Sequence, residues 1–434
     1  MLCTNTPARS AHVGYSRGVS TGLTVAIVGI NYAPEPTGIA PYTSGLAVGL
    51  ARRGHCVHVF TGQPHYPQWT RMHGYRSMRS EELLDGVHVR RFRHLVTRHP
   101  SAVKRLIMEL TFGLQVCAAR YPRPDVVVCI SPPLLTSAMC AARIRLTRPR
   151  PPLGIVVHDV YTRAFVEMDM GGGFVERAVE ALESRTMRAA DGIAVIHGGF
   201  ATDMTDRYHV DSRRVRECRN WTHIAPSDSA ASAAFRAVRG WSDDELVVLH
   251  AGNMGTKQGL ENVISAAQLA AAQGLPLRFV LLGDGHQRQY LQQLSAAVPC
   301  LELVEPVPET DFPAALGAAD LLLVNERPGV ARMSMPSKLT SYFAAGRPIL
   351  AATGEGGFTA REITASGAGI CVPAGRADIL VEEAIRIGQD RDLARRLGEA
   401  GRRYCDVMLS EAAALDRYEE WIIGLASGRI EEQR

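Results

Sequence analysis

Short, continuous runs of Val, Ile and Leu alternate with helical stretches along this chain, and the alternation restarts near residue 245. A run apolar at every position, not every second one, belongs to a strand buried on both faces. Such strands sit in parallel sheets, because the crossover helices cover both sides. In the first half the runs are Leu23–Ile30, His55–Thr61, Val87–Phe92, Asp125–Ile130, Leu153–Val157 and Gly192–Ile196, with helices at about 101–119, 132–146 and 172–190. In the second they are Glu245–His250, Leu277–Leu282, Leu301–Val304, Leu321–Val324, Pro348–Ala352 and Gly369–Val372. The helices there fall at about 261–272, 286–297, 311–317, 338–345, 359–365, 377–387 and 390–404. A chain of 434 residues exceeds what one core usually holds. The expected fold is therefore α/β, with two doubly wound, Rossmann-like parallel-sheet domains facing across a cleft. The expected division is a flexible tail at 1–20, a first domain at 21–226, a connector at 227–240, rich in Ser, Ala and Asp around 227–237, and a second domain at 241–404. A last helix at 405–425 is expected to cross back to the first domain.

Ligands of such sheets bind outside the carboxyl ends of the strands and between domains. Two of the chain's three lysines fall there. Of 48 basic residues only Lys104, Lys257 and Lys338 are lysine, and at Lys257 and Lys338 the setting suits a compact ammonium in preference to a planar fork. Lys338 opens a short helix behind Pro336 and Ser337, with Leu339, Tyr342 and Phe343 on one face and Gly346 closing it. Unpaired N–H groups beside an ammonium make an anion site, whereas a surface lysine at that end would merely oppose the helix dipole. Lys257 lies in a loop with Gly252, Asn253, Gly255 and Gly259, which permits close backbone approach to a phosphate. That loop matches no Walker pattern. Gly38 holds the corresponding place in the first domain, where it either admits a ligand or serves a tight turn. His158 and Asp159 follow the run Ile155–Val157, at the mouth of the cleft. His158 is assigned to orienting a substrate.

Charge is unevenly divided. Residues 1–220 carry a net +11 and residues 221–434 a net −7, which implies that the first half faces something anionic. No nucleic-acid signature occurs, so an anionic membrane surface or a phospholipid-like substrate is the expected partner. The stretch 86–108 holds Arg90, Arg91, Arg93, Arg98, Lys104 and Arg105 with no acid. Ser101 is placed to cap a helix carrying Val103, Leu106, Ile107 and Leu110 on one side, a pattern shared by interfacial helices and by basic faces over an ordinary core. No run reaches the length of a membrane span, and the first twenty residues lack the apolar core of a signal peptide. Nine cysteines scattered singly fit buried thiols in a reducing cytoplasm and oppose a zinc site.

Four segments together resemble a known family. Gly29-Ile30-Asn31-Tyr32-Ala33-Pro34-Glu35-Pro36-Thr37-Gly38-Ile39, Gln63-Pro64-His65-Tyr66-Pro67-Gln68-Trp69, Gly252–Asn262 and Pro336-Ser337-Lys338-Leu339-Thr340 resemble retaining family 4 glycosyltransferases of the GT-B fold. The resemblance spans about residues 22–425 and is to the colanic-acid type, which builds exopolysaccharide or O-antigen units on a membrane lipid carrier. It implies sugar transfer from a nucleotide sugar to a lipid-linked, polyprenyl-diphosphate glycan acceptor, with retained configuration, no metal and no other cofactor. It also implies a donor held mainly by the second domain and an acceptor held mainly by the first; the basic first half adds the expectation of a peripheral position on the cytoplasmic face of the plasma membrane. His158, Lys257 and Lys338 are then the expected catalytic residues. Gly38, Asp159, Asn253, Gly255, Ser337, Leu339 and Ser341 are the expected donor contacts, and the six basic residues of 86–108 the membrane or acceptor side. Two family glutamates are replaced by Met333 and Ser341, and an arginine by Asn253. Glu326 is a candidate substitute for the missing ribose-binding carboxylate. These departures keep two other readings open, a sugar-nucleotide epimerase of the same fold and a non-catalytic subunit of a polysaccharide assembly complex.

Overall fold

The structure, a computed structural model, describes residues 22–36, 38–98, 102–162, 173–222, 224–226, 228–329 and 338–428. The first sheet contains β1 (Thr24–Val28), β2 (Cys56–Gly62), β3 (Arg79–Leu84), β4 (Val87–Phe92), β5 (Val126–Ser131), β6 (Leu153–Val157), β7 (Gly192–Val195) and β8 (Val215–Glu217). Its spatial order is β3-β4-β2-β1-β5-β6-β7-β8. Its helices are α1 (Ala40–Arg52), α2 (Ala102–Ala118), α3 (Leu134–Leu146), α4 (Phe174–Ala189) and α5 (Gly198–Thr202). Strands β5 and β6 are buried along their whole length, as their unbroken apolar runs require. Two cores result, one on each face of the sheet.

The second body begins with α6 (Ser229–Val238), so the expected connector is itself a helix, packed against the second core through Phe235. The second sheet holds β9 (Leu246–Ala251), β10 (Leu277–Leu282), β11 (Leu301–Val304), β12 (Leu321–Asn325), β13 (Ile349–Thr353) and β14 (Gly369–Pro373). Its order is β11-β10-β9-β12-β13-β14, and every pairing is parallel. Around it lie α7 (Glu261–Ala272), α8 (Arg288–Ser295), α9 (Phe312–Ala318), α10 (Lys338–Ala345), α11 (Phe358–Ser366), α12 (Ala377–Gln389) and α13 (Arg391–Met408). The chain breaks at Ser410, whose hydroxyl accepts the Ala413 N–H. It then forms α14 (Glu411–Ser427), which lies on the first sheet with Leu415, Tyr418, Trp421 and Ile422 in its core.

Two strands go beyond the sequence reading. β8 is short, and β3 is an antiparallel edge strand rich in charge. β3 changes the meaning of the basic stretch, because its register sets Glu81 opposite Arg90 and Glu82 opposite Val89. Helix α2 keeps the apolar side read from its sequence out of the core. Its buried face is Met108, Phe112 and Val116, while Val103, Leu106, Ile107, Leu110 and Leu114 point to solvent. In both sheets the strand order reverses between two neighbours, β1 and β5 in the first and β9 and β12 in the second. Doubly wound sheets bind ligands at such points.

Candidate active site

At the second switch point Lys338 stands over the loop after β9. A Cβ on Gly252 would lie 3.7 and 3.8 Å from the Lys338 Cε and Nζ, and Gly252 itself has φ +129°. Glycine here leaves room for the lysine and permits that backbone. Beneath it the fully buried His250, near the end of β9, sits with Nε2 3.1 Å from Lys338 Nζ. Burial, then the neighbouring Lys338 charge, holds His250 well below its usual range, so the ring is neutral and can accept from the ammonium. Burial pushes Lys338 down to about 7, opposed by the charge of Glu326. Glu326 follows β12, and its carboxylate takes the hydroxyls of Thr353 and Thr359. Burial and these two bonds hold it in place as a counter-charge to Lys338.

Lys257 lies on the same loop, tied to the loop after β12 by Arg327 N–H donating to its carbonyl at 2.8 Å. Asn325 adds two bonds from its side-chain amide, to the carbonyls of Gln258 (2.7 Å) and Gly259 (2.9 Å). Burial lowers the Lys257 pKa, while the charge of Asp159 raises it. Asp159 belongs to the first body, so this pair spans the cleft. Beside it, half-buried His158 stacks on Tyr42 at 5.9 Å, and the Asn220 amide lies 3.4 Å from its Nδ1. Burial pushes His158 down to about 4, leaving a neutral ring at physiological pH.

A second set of side chains meets at the first switch point. Buried Glu35 accepts from Asn31 Nδ2 at 2.8 Å and from the N–H groups of His65 (2.7 Å) and Tyr66 (2.9 Å). One carboxylate thus joins the loop after β1 to the loop after β2. A pocket of about 200 Å³ opens beside them, lined by Gly38, Tyr66, Trp69, Arg105, Glu109 and Tyr161 among others. Glu109 is 3% exposed, accepts the Tyr161 hydroxyl and takes the Leu135 N–H at 2.8 Å. Burial raises its pKa against those two bonds. Sequence reading missed Glu109, Tyr161 and His250. An acid within an apolar-facing helix and a histidine ending an apolar strand were the signals for two of them.

The remaining expected residues divide. Asn253 and Asp159 are exposed at the loop tips, Gly38 has φ +71° against the Tyr66 ring, and Ser341 is half-buried on α10. The Gly255 N–H is taken by Gln258 Oε1 at 3.0 Å. Leu339 is fully buried in the second core, so its side chain does not reach a donor. Arg91 is 1% exposed, donating to Glu82 (2.6 Å) and to the Ala33 carbonyl (2.6 Å), which removes it from any membrane or acceptor surface. Arg90 is half-buried, 2.9 Å from Glu81 and donating to the Arg120 carbonyl. Arg93, Arg98, Lys104 and Arg105 remain exposed. Ser337, Pro336 and Met333 lie outside the described residues, as does Ser101. Strand pairing also brings Cys56, His58 and His88 together, their ligand atoms within 4.8 Å, a grouping that the scattered cysteines did not reveal.

Two doubly wound sheets whose switch points face each other, with glycines at both and two lysines at the second, are the arrangement of a GT-B glycosyltransferase. Residues 37–221 match the family described as glycosyl transferase 4-like domain, and residues 232–404 match glycosyl transferases group 1. WcaI of Escherichia coli K12, named for glycosyl transfer in colanic acid biosynthesis, is 30% identical over 75% of this chain and 82% of its own. Sucrose-phosphate synthase of Thermosynechococcus elongatus shares the fold with a TM-score of 0.71, 17% identity, and coverage of 94% of this chain and 100% of its own. Anabaena HepE, solved with UDP-glucose, has a TM-score of 0.64 and 13% identity over 92% and 98% of the two chains. The chain belongs to the family 4 glycosyltransferases of the GT-B fold.

Proposed function

We propose that this glycosyltransferase moves a hexosyl or deoxyhexosyl unit from a nucleotide sugar to a lipid-linked acceptor in cell-surface polysaccharide synthesis, with retention of configuration. One observation carries it: Lys338 over Gly252, and Lys257 facing Asp159 across the cleft, gather two ammonium groups at a single switch point. Cations placed where a diphosphate departs stabilise the charge that develops on it, and a partly desolvated site strengthens them. Lys257 and Lys338 hold the leaving diphosphate, Gly252 and Asn253 let it approach the backbone, and neutral His158 orients the sugar. A diphosphate oxygen takes the proton of the acceptor hydroxyl as the new glycosidic bond forms, so no separate base is required. The two lysines supply the charge that a divalent ion provides elsewhere, and turnover is expected to survive EDTA. Loss of activity on chelation, regained with Mg²⁺ or Mn²⁺, contradicts this.

The WcaI relationship and the separate pocket at Glu109 favour transfer over isomerisation, which needs no second site. On the described helices none is long and apolar enough to cross a membrane. The surface of α2 supports peripheral docking instead, since its exposed apolar residues lie beside Arg98, Lys104 and Arg105. The deciding experiment incubates the protein with a panel of UDP- and GDP-sugars, with and without lipid-diphosphate sugar acceptors. Transfer only when both are present is the expected result. Isomerised donor alone indicates an epimerase, and neither product a non-catalytic subunit.

A further inference from the structure

We propose that Cys56, His58 and His88 form a binding site for a zinc ion on the first sheet, with the fourth position of the ion left to water. The site goes beyond the glycosyl-transfer reading and does not depend on it. Backbone geometry assembles the three side chains. Successive residues of a strand point to opposite faces, so Cys56 and His58 share one face of β2 while Val57 and Val59 enter the core on the other. Parallel pairing sets His58 directly opposite His88 on β4, whose neighbours Val87 and Val89 enter that same core. Farther along the ligand-bearing face, Phe60 and Phe92 are buried with Met108 and Phe112 of α2. Cys56 and His88 are exposed and His58 is half-buried, so the start of this row is open to an ion from solvent.

The spacing is that of a tetrahedral ion. Zinc bonds of ~2.3 Å to sulfur and ~2.0–2.1 Å to nitrogen, at a tetrahedral angle, set ligand atoms roughly 3.3–3.6 Å apart. Cys56 Sγ lies 3.4 Å from His58 Nε2. The two imidazoles stack with 4.7 Å between ring centres and 13° between planes, and ligand atoms of all three residues lie within 4.8 Å of one another. A small rotation of the exposed His88 side chain closes the remaining gap. Burial, then the neighbouring charges of His88 and Arg90, keeps His58 below its usual range, in the neutral form that ligates a metal. The Arg90 charge is itself offset by Glu81 at 2.9 Å. One thiolate with two imidazoles is a set that suits zinc, whereas Mg²⁺ and Ca²⁺ take oxygen ligands. Among the described residues no fourth His, Cys, Asp or Glu joins the group, which leaves a position for water.

Placement decides what the ion does. The cleft lies at the carboxyl end of β2, and at ~3.3 Å per residue Cys56 is about 20 Å from Gly62 at that end. An ion there reaches neither Lys257 nor Lys338. It pins β2 to β4 beside the hairpin that carries the edge strand β3, so its role is structural and turnover in EDTA is still expected. Zinc spacings in sequence rest on ligands close together in the chain. A cysteine and a histidine on one strand, completed by a histidine of another strand, fall outside them.

The test titrates Co²⁺, a spectroscopic stand-in for zinc, into the tag-free full chain kept reduced without a thiol. Wild type is expected to bind one Co²⁺ per chain, with thiolate-to-cobalt charge-transfer absorption and the strong visible bands of a tetrahedral ion, all displaced by Zn²⁺. Cys56→Ser should abolish the charge-transfer absorption, and His88→Gln should weaken Zn²⁺ affinity at least tenfold in competition with a chelator. Cys371→Ser, at the exposed cysteine of β14, should change neither. Zinc should raise the Tm of wild type and not that of Cys56→Ser. Both substituted ligands are exposed, and circular dichroism establishes that each variant is folded before titration. Charge-transfer absorption that persists in Cys56→Ser overturns the proposal, as does a weak octahedral spectrum without it in wild type. Unchanged Zn²⁺ affinity in folded His88→Gln overturns it too.

Discussion

Lys338 is the side chain whose environment does most to define the chemistry. An ammonium held near neutrality by burial, beside a neutral imidazole, is poised to gain a partner. Lys338→Ala or Lys257→Ala should each cost ~2–4 kcal/mol in kcat/KM, the scale for one preorganised donor, measured with saturating acceptor. Lys338→Arg should fail as well, because a fork does not fit the place of a point charge above Gly252 and His250. The pH dependence follows from the same depressed pKa. Below about 7 the free protein carries the ammonium, and above it the amine is neutral. Affinity for a nucleoside diphosphate should therefore fall as pH rises through about 7. Binding above that pH should take up a proton, visible calorimetrically as a dependence of the heat on the buffer's ionisation enthalpy. A flat affinity between pH 6 and 8.5 would remove Lys338 from the site.

Among the elements, α2 and β3 show how tertiary context rearranges a charge pattern. The sequence displays six basic residues in 86–108 without an acid, yet β3 folds back and pairs Arg90 and Arg91 with Glu81 and Glu82. That edge strand alternates too little in hydropathy to be read as a strand, so its neutralising effect was invisible. What remains for a membrane is narrower, namely Arg93, Arg98, Lys104 and Arg105 beside the outward stripe of α2. The apolar residues were legible, but not the direction they face, because helical spacing gives a stripe without saying which stripe meets the core. Here Met108, Phe112 and Val116 won that place. Binding to anionic vesicles should weaken steeply with salt, at roughly 1 kcal/mol per basic residue near the surface. Arg98→Gln with Lys104→Gln should reduce sedimentation with such vesicles, and Leu106→Ser with Leu110→Ser should reduce it at any salt. Unchanged sedimentation in both double variants would leave α2 a solvated face.

At the scale of the whole molecule, α14 returns to the first sheet and the two bodies meet through a polar contact. A Cβ on Gly154 would lie 2.6 Å from Trp421, and one on Gly192 would lie 2.8 Å from Leu425. Two strand glycines thus make room for a helix more than 200 residues later in the chain. Trp421→Ala should destabilise the first body by ~3–5 kcal/mol, the range for emptying a large aromatic site, seen as a lower urea midpoint with an unchanged slope. A loss below 1 kcal/mol would mean that α14 merely rests on the sheet. Arg219 bonds to Glu362 at 2.9 Å and to Tyr404 at 2.5 Å, joining the end of the first body to α11 and α13. This contact, with Phe358 against Gly199, sets the two switch points opposite each other.

Local pattern was enough to determine most of the strands and helices, though not β3, β8 or α6, and the loops that bear Lys257 and Lys338, because a strand buried on both faces writes its burial into every residue. It also placed His158 and Asp159 at a strand's carboxyl end. Contacts between distant segments were decided by the tertiary structure alone. Glu109 under Tyr161, His250 under Lys338, Glu326 locked by two threonines and Arg91 buried against Glu82 join residues that share no local pattern. Burying a charged or polar group is favourable only when its partner is brought to it, and packing of whole elements, not spacing along the chain, supplies those partners.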